Sequence, residues 1–388
     1  MNHLVPYDPQ LPESVPSPCY VLDTRRLRGN MEILADVRRR AGVKMLAALK
    51  GFAMHSLFPL MRDYLDGVCA SGPWEARLGA EAFGKEVHVY APAFSERDLV
   101  EILPLAHHVS FNSFVQLRQG RAAAAAVRHP ISCGLRVNPE LSVVETPLYD
   151  PCAPGSRLGV RRAAFEGQDL EGVEGLHFHA LCEQGADVLE RMLERFEARF
   201  GDLLPGMRWA NLGGGHHITS PAYDVEGLVA MLRDFKARYP HLEVYLEPGE
   251  ALAINAGVLV ATVLDVLENG PEPAAILDVS ATCHMPDVLE MPYRPEIWGA
   301  GAPGEKPHAY QLGGLSCLAG DVIGRYAFDE PLRPGQRLHF LDMAHYTMVK
   351  TTTFNGIKHP AIAAWDPDAG ELEVVRSFRY EDYRDRLS

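Results

Sequence analysis

Lysine is scarce in this chain of 388 residues: seven lysines stand against thirty arginines. Cysteine is sparse and scattered, at Cys19, Cys69, Cys133, Cys152, Cys182, Cys283 and Cys317. The number is odd and no two form a C-x-x-C pair, which argues against a disulfide framework or a structural zinc site and points to a reducing compartment. Long hydrophobic runs are missing too. The longest, Gly257–Leu264, is far too short to span a bilayer. The N-terminus, Met1–Asp8, has neither the basic start nor the apolar core of a signal peptide, so a cytoplasmic protein without a membrane partner is expected. A formal net charge of -14 argues against nucleic acid as a partner and favours cationic ligands. What remains is an ordinary globular composition, 47% apolar and 23% charged, in a length that suits two domains.

Strand and helix patterns alternate through the first two-thirds of the chain. Candidate strands end near Lys50, Ser71, Pro92, Asn112, Asn138, Ala180, Gly213 and Glu247. Helical periodicity falls between most of them, as over Arg26–Arg40, Glu75–Phe83, Phe114–Val127, Val188–Phe200 and Val225–Tyr239. Eight such units predict a (β/α)8 barrel over residues 25–256. The irregular stretch Pro139–Gly172 is the weakest unit. Beyond residue 257 the texture changes to short strands between Pro/Gly-rich loops: Val258–Leu267, Ala275–Ala281, Ala309–Leu315, Arg337–Leu341 and Glu371–Phe378. These predict a separate β domain over 257–388, joined by residues 1–24 through Cys19–Asp23.

Active-site groups of such barrels sit at the C-terminal ends of the strands. The first end carries Lys50, one of the few lysines, closing the run Val43–Leu49. A buried amine loses its charge and becomes a nucleophile toward carbonyls. The sixth end reads Gly175–Leu176–His177–Phe178–His179–Ala180, which sets two imidazoles on one side of a strand. The seventh reads Asn211–Leu212–Gly213–Gly214–Gly215–His216–His217, a glycine loop whose backbone N–H groups can approach an anion. The eighth places Glu247 after three apolar residues. The histidines show no metal-ligand spacing on a helix, and no metal is expected. A lysine, an anion-binding glycine loop, a flat imidazole and an acid suited to a cationic ring nitrogen together specify pyridoxal 5'-phosphate.

With those motifs the chain resembles the pyridoxal-phosphate decarboxylases of the alanine-racemase-like fold, and most closely their carboxynorspermidine decarboxylase branch, which also acts on carboxyspermidine. Further matching strings are Ala48–Leu49–Lys50–Gly51–Phe52–Ala53, Leu315–Ser316–Cys317–Leu318–Ala319–Gly320–Asp321 and Asp342–Met343–Ala344–His345–Tyr346–Thr347–Met348. The resemblance implies that Lys50 bonds the cofactor covalently and His179 stacks on its ring. Gly213, Gly214 and Gly215 cradle the phosphate with Tyr346, and Glu247 faces the pyridine nitrogen. It also implies a homodimer in which Cys317 from the partner's β domain donates a proton, with Asp321 beside it to hold a substrate ammonium. Glu183, Asp287 and Glu290 are candidates for the ammonium groups of a polycationic substrate, and Arg294 for its carboxylate.

Two departures narrow the substrate. Ornithine and diaminopimelate enzymes usually carry arginine where this chain has Glu250, which removes one phosphate contact. They also carry an acid where this chain has Leu318, and its loss argues against both of those substrates. The alternatives are another decarboxylase or a racemase on this fold, or a non-catalytic relative that binds the cofactor. A racemase needs an acid–base group on each face of the cofactor, and only Tyr346 offers itself for the second.

Overall fold

The computed structural model describes residues 5–144, 146–268 and 270–388. Gly29–Leu252 forms one compact unit; Ala253–Ser388, with residues 5–28, forms the other. Strand β1 (Cys19–Asp23) belongs to the second unit.

The first unit is a closed barrel of eight parallel strands in sequential order. They are β2 (Lys44–Ala48), β3 (Gly67–Ala70), β4 (Glu86–Tyr90), β5 (His108–Phe111), β6 (Ser132–Arg136), β7 (Gly175–His177), β8 (Trp209–Asn211) and β9 (Glu243–Leu246). Each ends within a few residues of the position read from the sequence. Parallel strands covered on both faces need apolar residues throughout, and Met45–Ala48 and Val244–Leu246 are buried end to end. The covering helices bury one stripe. Ala186–Phe200 turns Leu189, Met192, Leu193, Phe196 and Phe200 inward at helical spacing. The stretch between β6 and β7 has only short 3-10 turns, Pro147–Tyr149 and Arg162–Phe165. Asn138 ties it down, donating to the carbonyls of Pro151 (3.3 Å) and Leu158 (3.2 Å).

The N-terminal end of the barrel is plugged by charge and aromatic rings. Lys44 Nζ lies 2.5 Å from Glu86 and 2.8 Å from Glu243, and the Tyr245 hydroxyl donates to Glu243 at 2.5 Å. His88 bonds Glu86 at 3.1 Å and stacks on His108 with centroids 4.0 Å apart; His108 in turn lies 4.9 Å from the Trp209 ring. The indole fits because the neighbouring strands carry glycine: a Cβ at Gly175 would sit 2.0 Å, and one at Gly134 2.5 Å, from its ring atoms. With the barrel interior filled at this end, the groups that could meet a substrate inside it are those at the C-terminal ends of the strands.

The second unit is a mixed sheet ordered β13-β12-β11-β10-β1-β15-β16, with β14 paired to β10. Its strands are β10 (Gly257–Leu267), β11 (Ala274–Leu277), β12 (His308–Gly313), β13 (Val322–Phe328), β14 (Arg337–Leu341), β15 (Ala361–Asp366) and β16 (Glu371–Arg376). β1 lies antiparallel to β10 and parallel to β15. Two strands, β13 and β15, escape the sequence reading: one holds Gly324 at its centre, the other is alanine-rich and low in β propensity. The strand expected over Ala275–Ala281 stops at Leu277, because the Ser280 hydroxyl caps a short helix, Ala281–His284, through the N–H of Cys283.

The barrel plug makes stability depend on pH. Burial, with His88 adding to it, lowers the His108 pKa from 6.5 to about 2. Burial pushes Glu86 up, but the hydrogen bonds from His88 and Lys44 outweigh it, and its pKa falls from 4.5 to about 2. As pH falls, the unfolded chain takes up protons on both groups before the folded barrel does, so folding stability declines from about pH 6.5 toward about pH 2. His108→Phe, which keeps the stack, is expected to flatten the slope between about pH 6.5 and about pH 4.5 in denaturant unfolding. An unchanged slope would show that His108 does not titrate on unfolding.

Candidate active site

At the C-terminal end of the barrel the loops after β2, β7, β8 and β9 interlock. The N–H of Ala48 donates to the carbonyl of Pro248 at 2.9 Å, and the N–H of Glu247 to that of Gly213 at 2.7 Å. A Cβ on Gly51 would lie 2.9 Å from the Gly249 Cα. The backbone there is packed, which fixes where the side chains between those loops project.

Lys50 keeps contact with solvent, yet the protein crowded around its amine lowers its pKa; burial dominates, Arg136 adds to it and Glu247 opposes it. Lys50 Nζ lies 3.4 Å from His179 Nε2. His179 Nδ1 accepts the N–H of Gly214 at 3.0 Å, which assigns the proton to Nε2. Burial, reinforced by Lys50 and Arg136, holds the His179 pKa well below 6.5. An amine with a lowered pKa thus faces an imidazole N–H, and the neutral form that burial favours is the one in which lysine attacks a carbonyl.

Glu247 is 8% exposed. Burial pushes its pKa up, but His177, His179 and Asn211 pull it well below the usual carboxylate range. Asn211 donates to Oε1 at 2.6 Å, and His177 Nε2 lies 3.5 Å from Oε2. The carboxylate stays ionised.

The three glycines are no flexible turn. A Cβ would lie 2.4 Å from the Phe178 carbonyl oxygen at Gly213, 2.0 Å from that of Glu247 at Gly214 and 2.0 Å from that of Leu181 at Gly215. Gly213 and Gly215 also have positive φ, 70° and 85°. The N–H of Gly213 is taken by Asn211 Oδ1 (2.9 Å) and that of Gly214 by His179. Among the described residues, the N–H groups of Gly215 and His216 have no hydrogen-bond acceptor, so the anion-facing part of the loop is its last residue and the one after it.

Arg136, which the sequence reading missed, ends β6 as Lys50 follows β2. It is 5% exposed, donates to the carbonyl of His179 at 2.8 Å and lies over the Tyr90 ring at 4.3 Å. The signal was an arginine closing the apolar run Gly134–Leu135. Glu183 sits on an exposed turn at positive φ, 55°.

The remaining candidates lie in the second unit. Cys317 is exposed, its N–H held by Asn355 Oδ1 at 2.8 Å. Asp321 is buried and accepts from the Ser280 hydroxyl (2.8 Å) and from the N–H groups of Ser316 (3.0 Å) and Thr282 (3.3 Å). It therefore fixes the loop that carries Cys317, and its oxygens are engaged within the unit. Asp287 and Glu290 both bind the Lys350 ammonium, the latter at 2.7 Å. Arg294 donates to the Gly301 carbonyl at 3.1 Å and lies over the Tyr326 ring. Tyr346, half-buried, opens a short helix, Tyr346–Val349.

Comparison with known proteins agrees with this arrangement. Residues 19–344 match the family described as "Pyridoxal-dependent decarboxylase, C-terminal sheet domain". The chain belongs to the pyridoxal-dependent decarboxylases. It is 50% identical over 374 residues to a carboxyaminopropylagmatine decarboxylase of Synechocystis sp., covering 96% of each chain. It is 45% identical to a carboxynorspermidine/carboxyspermidine decarboxylase of Campylobacter jejuni, over 96% of this chain and 98% of that one. The crystal structure of the C. jejuni carboxynorspermidine decarboxylase complexed with norspermidine superposes with a TM-score of 0.88 at 44% identity, covering 96% and 100% of the two chains. The chain is a carboxy-lyase dependent on pyridoxal phosphate, on the barrel-plus-sheet fold of this family.

Asp321→Ala is expected to lower the melting temperature of the protein, because it leaves buried donors unpaired at a cost of about 1–3 kcal/mol. A variant that melts like wild type and differs only in KM would return Asp321 to substrate binding.

Proposed function

We propose that this enzyme decarboxylates carboxynorspermidine, carboxyspermidine or both, yielding norspermidine or spermidine in polyamine biosynthesis. The observation that carries the reading is the Lys50 amine, its pKa lowered by burial, 3.4 Å from His179 and beside an ionised Glu247, in a chain 45% identical to an enzyme named for those substrates. Lys50 would hold the aldehyde carbon of pyridoxal phosphate, Gly215 and His216 its phosphate, Glu247 its ring nitrogen and His179 its ring face. When bound, the cofactor supplies an electron-poor ring that takes up the electron pair left as the carboxylate departs.

The chain's own groups do the rest. Glu247, kept ionised by Asn211 and His177, holds a proton on the nitrogen it faces. His179, kept neutral, adds a flat surface without adding charge. Cys317 Sγ gives a proton to the carbon that has lost carbon dioxide. Its loop fits delivery from a second copy of the chain: Cys317, Leu315, Leu318 and Phe354 are all exposed, and an apolar fringe around a reactive thiol suits a protein contact. Leu318, where related enzymes place an acid, leaves that position without a charge for a short diamine and accommodates a hydrocarbon segment between distant ammonium groups. No disulfide joins the seven cysteines, which is consistent with a reducing compartment, and no helix among the described residues is long and apolar enough to cross a membrane.

The 50% identity to the Synechocystis enzyme favours a second reading, a substrate that ends in a guanidinium group. Carbon dioxide release from carboxynorspermidine, carboxyspermidine, carboxyaminopropylagmatine, diaminopimelate and ornithine decides between them. The first two are expected to give the highest kcat/KM; release from none of the five would end the reading. Lys50→Ala is expected to fold, to lose the absorbance of covalently held cofactor and to release no carbon dioxide.

A further inference from the structure

Asn211 ends β8 and is 2% exposed. Its side chain uses both halves of the amide. Nδ2 donates to Glu247 Oε1 at 2.6 Å, and Oδ1 accepts the N–H of Gly213 at 2.9 Å. Its backbone carbonyl accepts from the N–H of Phe178 at 2.9 Å, which anchors it to the segment that carries His179. The Glu247 N–H returns to the Gly213 carbonyl at 2.7 Å, and Gly214 packs so closely on the Glu247 carbonyl that a Cβ there would lie 2.0 Å from its oxygen. The glycine loop and the acid are therefore joined twice, by backbone and by one amide. Only a side chain with a donor and an acceptor at this spacing can make the second link.

We propose that Asn211 is a positioning residue that couples the glycine loop, through its first residue Gly213, to the carboxylate of Glu247, so that seating the phosphate at the far end of the loop sets the acid for the ring nitrogen. The inference rests on the reading of Lys50, Gly215 and Glu247 given above. A shift of the loop changes the Gly213 N–H that Asn211 holds, turns the amide and moves the donor on Glu247. Conversely, loss of the Glu247 carboxylate frees the amide and loosens the loop. The second carboxylate oxygen lies 3.5 Å from His177, a longer contact than the 2.6 Å bond from Asn211, so Asn211 supplies the short contact that fixes the carboxylate's orientation.

Protein stripped of cofactor and titrated with pyridoxal 5'-phosphate, followed by absorbance, tests this. Asn211→Ala is expected to weaken cofactor binding about tenfold. In a Glu247→Ala background the same change is expected to cost less than about threefold, since the amide has lost what it positions. Equal costs in the two backgrounds, or no cost in either, would overturn the link. Asn211→Asp keeps the size and the acceptor for Gly213, so it answers the question even if Asn211→Ala does not fold. It sets a carboxylate against Glu247, and two carboxylates that close cannot both ionise. The bound cofactor's absorbance is then expected to gain a pH transition between about pH 5 and about pH 9 that wild type lacks; a profile identical to wild type counts against the link. Lys50→Ala, run alongside, separates the claims. If it keeps the absorbance of covalently held cofactor, the site reading fails. If it loses that absorbance while both Asn211 variants behave as wild type, only the link fails.

Discussion

A carboxylate can be buried in an ionised state only where fixed donors replace the water it gave up. Glu247 meets that condition through one amide and neighbouring imidazoles, and much of the barrel's upper end follows from it. Asn211 must stand at the end of β8 to reach it. Gly214 must lack a side chain so that the loop can lie against its backbone. The imidazole of His179 then finds its acceptor role in the N–H that the loop presents, and burial lowers the pKa of the lysine beside it. The reactive amine and the acid are set by the same packing.

The two ends of the barrel show opposite uses of charge. At the N-terminal end Lys44 is shared by Glu86 and Glu243, and each of these charges is answered by a neighbour. At the C-terminal end Arg136 and the Lys50 amine, whose pKa burial lowers, lie near a single acid, Glu247, so the balance is incomplete within the protein. Groups that are mutually satisfied hold a structure; groups that are not are available to a ligand. The contrast explains why one of the chain's few lysines is structural and another chemical, although both lie within seven residues of each other on the same strand and its exit turn.

Much of this was legible in the sequence, because a strand buried on both faces writes itself as an apolar run and a barrel assigns function to where the run stops. The eight strand ends, Lys50, His179 and Glu247 were found that way. Arg136 obeyed the same rule and was passed over, since an arginine is easily read as a surface residue. Asn211 was quoted as part of a motif without a role, because its importance lies in two hydrogen bonds that only the folded geometry reveals. The acids Asp321, Asp287 and Glu290 looked available for a cationic substrate; in the fold they serve the Cys317 loop and Lys350. Charge in a sequence has no direction, and its partner is a property of three dimensions. Strands β13 and β15 were missed for a simpler reason: glycine and alanine give weak local signals, and pairing with neighbours decides their structure.

Trp209 fills the barrel where two neighbouring strands offer glycine in place of a side chain. The indole and the two bare positions, Gly134 and Gly175, make one solid body divided among three strands. No single change can enlarge one part without a collision, and none can shrink the indole without leaving a hole. The bare positions are not equivalent: the indole alone bars a side chain at Gly175, whereas at Gly134 the carbonyl oxygen of Gly175 bars it as well, 2.5 Å from where a Cβ would sit.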